Sequence, residues 1–149
     1  MTRRDRRQWR LGLKRLASLA ALAALAGGLM GLGGGSEKEE GAIPIPSKSY
    51  TVTLSDNQGN KLQGERFTWE GKVHLRASFG NATITVPFEK LKTLQMSKGN
   101  TPDRVNVKAL LRSGDTLELT VDAKTKCYAE TKFGNYEIFM ADLASIEFH

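Results

Sequence analysis

Two histidines, one cysteine and a few turn-borne acids are the residues of this 149-residue chain that could take part in bond-making or metal chemistry: His74, His149, Cys127 and Asp115 beside Thr116. A metal site needs several His, Cys or acidic ligands at close spacing, and a nucleophile needs a base within reach. Neither set can be assembled here. No second His or Cys stands near His74, and a lone Cys127 cannot close an intramolecular disulfide. Asp115-Thr116 follows Ser113-Gly114 and reads as turn chemistry. Asn81-Ala82-Thr83 matches a glycosylation acceptor but coincides with a Gly-Asn hairpin turn, and the turn is the simpler role. The expectation is no catalytic residue, no cofactor-binding residue and no metal ligand.

The elements that carry these residues are strands. Tyr50-Thr-Val52-Thr-Leu54-Ser and Val105-Asn-Val107-Lys-Ala109 alternate apolar with polar, the period of a strand with one buried face. Gly59, Glu70-Gly71, Gly80-Asn81, Gly114 and Gly134-Asn135 punctuate them as turns. No segment after residue 46 has a helical period. By this alternation Val73, Leu75, Ala77 and Phe79 face inward, His74 and Arg76 outward, and Cys127 is a small buried hydrophobe.

Phe-Gly-Asn occurs at 79–81 and again at 133–135, an offset of 54, which pairs Val73 with Cys127 and His74 with Tyr128. Upstream an offset of 55 pairs Val52 with Val107 and Leu62 with Leu117; downstream an offset of 52 pairs Leu91 with Leu143 and Leu94 with Ile146. The chain therefore reads as all-β, two tandem internal repeats over 50–96 and 105–148, each of about five short strands with one helical turn before the last. Pro87–Leu91 and Ala141–Ala144 are the expected single turns. That element order is similar to small SH3-like or Sm-like barrels, and the resemblance implies either two such barrels or one merged β-sandwich. Copies of about 46 residues are small for separate cores, which favours packing of one on the other.

Residues 1–15 hold seven basic residues against Asp5, and Leu16–Ala26 is an apolar run closed by Ala24-Leu25-Ala26 and glycines. Basic head, short apolar centre and small-residue exit are the parts of a secretory signal. Counted through Leu32 the run reaches 17 residues, the lower limit for an uncleaved anchor helix. Arg6-Arg7-Gln8-Trp9-Arg10-Leu11 resembles a twin-arginine export signal. Residues 1–32 are thus a signal peptide or membrane anchor, and 33–49, rich in Gly, Ser, Pro and alternating charge, a flexible linker.

This head accounts for the whole net charge of +6, since residues 36–46 contribute −2 and residues 47–149 contribute +2. Basic residues are interspersed with acids there, which argues against a nucleic-acid partner. Phe67 and Trp69 have no aromatic counterpart in the second copy; with His74 and Tyr128 they form a candidate contact patch, or else they fill the core between the copies. The sequence points to an exported or membrane-tethered, non-catalytic β module of the bacterial cell envelope that touches another protein or a cell-wall component. The alternative is a small-ligand binder or enzyme with its site between the repeats, at His74, Tyr128 or Glu130.

Overall fold

The computed structural model describes residues 40–149. The signal or anchor segment 1–32 and the linker residues 33–39 lie outside the described residues. The chain then forms β1 (Val52–Asp56), β2 (Lys61–Trp69), β3 (His74–Phe79), β4 (Ala82–Pro87), β5 (Leu91–Lys98), β6 (Arg104–Leu111), β7 (Thr116–Asp122), β8 (Lys126–Thr131), β9 (Gly134–Phe139) and β10 (Leu143–Phe148). Single 3-10 turns at Phe88–Lys90 and Met140–Asp142 precede β5 and β10, close to where the sequence puts them. No helix among the described residues is long and apolar enough to cross a membrane. The fold is all-β, one curled half-barrel sheet with every neighbouring pair antiparallel.

Period-two alternation turns Val52 and Leu54 of β1, and Val105, Val107 and Ala109 of β6, into one contiguous core that also holds Leu75, Leu94 and Ile146. Two separate barrels do not form. The strand order is β4-β3-β7-β6-β5-β10-β1-β2-β8-β9. Exchanging β1–β5 with β6–β10 and reading backwards returns the same order, so the sheet has a two-fold topology about its central β5–β10 pair. The pairing Ile146↔Leu94 lies on that axis. Each half of the sheet draws on both halves of the chain: β3 joins β7 at Ser78↔Thr120, and β8 lines up on β2.

Register gives the correspondences that this two-fold strand order implies. Val52↔Phe148 matches Val107↔Met96, and Leu54↔Ile146 matches Ala109↔Leu94, as offsets of 55 and 52 require. The Phe-Gly-Asn motifs, however, stand two residues out of phase. Phe79↔Ala82 flanks a Gly80-Asn81 turn in which only the glycine has a positive φ, 59°. In the second hairpin Thr131↔Gly134 flanks a Lys132-Phe133 turn, so Gly134 and Asn135 belong to β9 and are not turn residues. By register Cys127 therefore corresponds to Leu75, His74 to Lys126 and Tyr128 to Arg76. A slip of two keeps every side chain on its face, which is why the inward assignments of Leu75, Ala77 and Cys127 hold while the partners change. Phe79 at the turn is exposed.

β2 also breaks its own alternation. Between Glu65↔Glu130 and Thr68↔Tyr128 it carries one extra residue, a bulge in which Arg66 adopts φ 51°. Before the bulge the even residues Leu62 and Gly64 point inward; after it the odd residues Phe67 and Trp69 do. Thr68 between them is fully buried as well, and its hydroxyl has no hydrogen-bond partner. A buried unsatisfied hydroxyl costs about 1–3 kcal/mol, so Thr68→Val is expected to raise unfolding stability by about 1 kcal/mol in urea titration. A loss of stability would show that the hydroxyl is satisfied.

Candidate functional site

Two places related by the strand order are built on the same frame and finished differently. In each, the turn after the first strand of the unit is tied to the neighbouring 3-10 turn: Asn57 N donates to Asp142 O at 2.9 Å, and Arg112 N donates to Lys90 O at 2.8 Å. The 3-10 turn in each case drops its first residue into the core, Met140 in one and Phe88 in the other.

At the Phe88 place the space is full. Phe88 packs edge-on against Tyr50 (ring centroids 5.4 Å apart) and tilted against Phe67 (5.3 Å) and Phe148 (5.1 Å). Tyr50 reaches it because Phe67 N donates to Tyr50 O at 3.1 Å, laying the chain before β1 along β2. A polar clamp closes the surface, with Lys48 Nζ and Tyr50 Oη both donating to Glu89 Oε1, at 2.8 and 3.0 Å. These two donors hold the Glu89 carboxyl below its ordinary range, Lys48 first, and Glu89 in turn raises Lys48. Burial, then the bond to Glu89, raises the Tyr50 phenol. The carboxylate contribution is present above the ordinary carboxylate range and is lost as the pH falls through the lowered value.

At the Met140 place the corresponding side chains are smaller. Register sets Val105 against Tyr50, Val121 against Phe67, Met140 against Phe88 and Met96 against Phe148; Ala141 takes the place of Glu89. No clamp then ties the β5–β6 connection to the 3-10 turn. Between them lies a cleft of about 700 Å³ that borders half-buried Met96 and the buried Val105, Met140 and Leu143. Asn57, Asn100 and Thr101 stand at its rim with Lys98. Asn57 Nδ2 donates to Ala141 O at 2.8 Å and Thr101 Oγ1 to Asp103 Oδ1 at 2.5 Å. Gly99 is required in this connection, since a Cβ there would overlap the carbonyl of Arg104. The lining is thus mixed, with amides, a hydroxyl and a lysine around apolar side chains.

The residues singled out in the sequence lie elsewhere. Phe67 and Trp69, 0% and 3% exposed, are core, so they present no contact patch; the bulge at Arg66 turns them inward. His74 and Tyr128 are half-buried on β3 and β8, second from opposite ends of the strand order, and neither lines the cleft. Glu130 is exposed and pairs with Arg66 at 3.3 Å. Thr53 Oγ1 and His149 Nε2 share a hydrogen bond of 2.8 Å at the surface. Cys127 is buried, its thiol pushed up by burial, with Sγ 3.7 Å from Met140 Sδ. No group of three or more His, Cys, Asp or Glu side chains that could hold a metal occurs among the described residues.

Sequence reasoning passed over the cleft because its residues are chemically ordinary. The signal that could have found it was the loss of aromatics: Phe67 and Trp69 without counterparts is the visible part of a wider asymmetry that includes Tyr50, Phe88 and Phe148.

No curated protein and no solved structure matches the chain. A family model with the description "Uncharacterised protein" matches residues 46–149, the linker's end and the entire sheet, and the chain belongs to that family.

Proposed function

We propose that the protein is a non-catalytic binding module of the bacterial cell envelope, exported or held at the membrane through residues 1–32, and that it recognises its partner with the cleft beside Met140. The cleft carries this reading: a concavity beside Met96 with Asn57, Lys98, Asn100 and Thr101 at its rim, at a place whose counterpart is closed by Tyr50, Phe88 and the Lys48–Glu89 clamp. The location is supported by the Arg-rich head, the apolar run Leu16–Ala26 and the Gly-Ser-Glu-Lys linker. We further read the two halves of the chain as a duplication whose hairpins exchanged partners, β3–β4 going to β7 and β8–β9 to β2. The two-fold strand order and the paired registers support this.

Expression of the full chain with a C-terminal tag in a bacterial host, followed by fractionation and mass measurement, tests the location. The expected product sits in the envelope fractions, beginning near Gly27 if the signal is cleaved or at Met1 if it anchors. An intact chain recovered from the cytoplasm would overturn the envelope reading.

A further inference from the structure

Each end of the strand order is a hairpin, and the two tips are finished differently. The β3–β4 tip is Gly80-Asn81, and its register counterpart at the β8–β9 tip is Lys132-Phe133. A two-residue turn favours Gly, Asn or Asp, and nothing in its geometry asks for a phenylalanine. Phe133 is nevertheless 75% exposed, against 49% for Phe79 and 41% for Phe139, the most exposed aromatic ring among the described residues. The turn that presents it is held from within. Phe133 N donates to Thr131 Oγ1 at 3.2 Å, and that hydroxyl donates to Gly134 O at 2.8 Å. Lys132 Nζ lies 4.9 Å from the ring centroid.

The end of the linker is tied beside this tip. Asn135, two residues past Phe133, donates from Nδ2 to Gly41 O at 2.9 Å. Residues 33–40 alone separate Gly41 from Leu32, and a segment of that length reaches about 30 Å at most when fully extended. The hairpin next to the tether is therefore the one that carries the ring, and the hairpin at the other end of the strand order carries Gly80-Asn81. A groove beside the ring is lined by Lys61 and Lys132 and by Glu65 and Glu130, of which Glu130 is already paired with Arg66 at 3.3 Å. An exposed ring beside a lysine suits a lipid surface, because the ring enters the boundary between headgroups and acyl chains while the lysine stem lies along it and the ammonium stays with the phosphates.

We propose that the Lys132-Phe133 tip rests on the membrane that holds residues 1–32, with the Phe133 ring in the interface and the Lys132 ammonium among lipid phosphates. This rests on residues 1–32 acting as an anchor and adds a lipid surface as a contact of the sheet itself. One ring binds a bilayer weakly from solution, but a tether of this reach keeps the tip and the surface at high effective concentration.

The test places the full chain in vesicles of phosphatidylcholine and phosphatidylglycerol with bromine on the acyl chains, which quenches tryptophan emission on contact. Phe133→Trp is compared with Asn81→Trp, both in a Trp9→Phe background that leaves only the buried Trp69. The Phe133→Trp chain is expected to lose at least about twofold more of its added emission than the Asn81→Trp chain. Lys132→Trp gives the same readout should Phe133→Trp fail to fold. Equal quenching at the two tips would overturn the proposal and leave a membrane-held chain standing. A mature product beginning near Gly27 would also overturn it, with export intact; an intact chain in the cytoplasm would remove the envelope reading and this contact with it.

Discussion

Replacing Phe88 with alanine will cost about 3–5 kcal/mol of unfolding free energy, the upper part of the range for a buried aromatic. Its ring is fully buried and lies within 5.4 Å, centroid to centroid, of Tyr50, Phe67 and Phe148. All three neighbours are fixed by strand pairing or by the Phe67 N to Tyr50 O bond, so they cannot collapse into the space. A domain of this size has about 5–15 kcal/mol in total, and the variant is expected to be partly unfolded at 37 °C. Met140→Ala makes the useful comparison. Met140 is equally buried, yet it borders an existing cleft, and the cost should fall near the lower end of about 2–5 kcal/mol. Paired urea titrations measure both. A Met140→Ala cost equal to that of Phe88→Ala would mean that the two places are packed alike.

The second large effect concerns the chain cut in two. Residues 40–98 and 99–149, prepared separately, are each expected to lack a cooperative unfolding transition as monomers, and to recover one when mixed in equal amounts. The pairing dictates this result. β5 has β10 and β6 as its neighbours, both in the other fragment, and β10 has β1 and β5, again both in the other fragment. What remains within a fragment is two isolated two-stranded units, β1–β2 and β3–β4 in the first, β6–β7 and β8–β9 in the second. Isolated two-stranded units are marginal in water. Far-UV circular dichroism and thermal melts of each fragment and of the mixture decide the matter; a cooperative monomeric melt of either fragment alone would contradict the interleaved strand order.

The strands themselves were legible because alternation and turn residues are local. Val52 and Leu54, or Val105 and Val107, declare their buried face within a few residues. Even the 3-10 turns showed, through Pro87-Phe-Glu-Lys and its shorter echo. Strand partners carry no such signature. Nothing in His74–Phe79 says that its inner neighbour is β7, with Ser78 set against Thr120, and the Phe-Gly-Asn match encouraged an offset of 54 where register requires 52. The extra residue at Arg66 was equally silent, since a bulge flips the inward phase without altering composition. That flip decided the aromatics. Phe67 and Trp69 belong to the closed place, and their counterparts, Val121 and Ala123, are smaller and also buried.

The order of the sheet also sets the order of assembly. Among the described residues β1 is the first strand, yet one of its two edges is covered by the tenth, Leu143–Phe148. Ladders between strands far apart in the sequence form slowly, because loop closure must precede any gain. Strands β3 to β7, and β1 with β2, can pair as soon as they are made, but the central β5–β10 pair has to wait for Leu143–Phe148. The two parts of the sheet therefore stay unjoined until β10 is made, with the unpaired edges of β1 and β5 open to whatever meets them first.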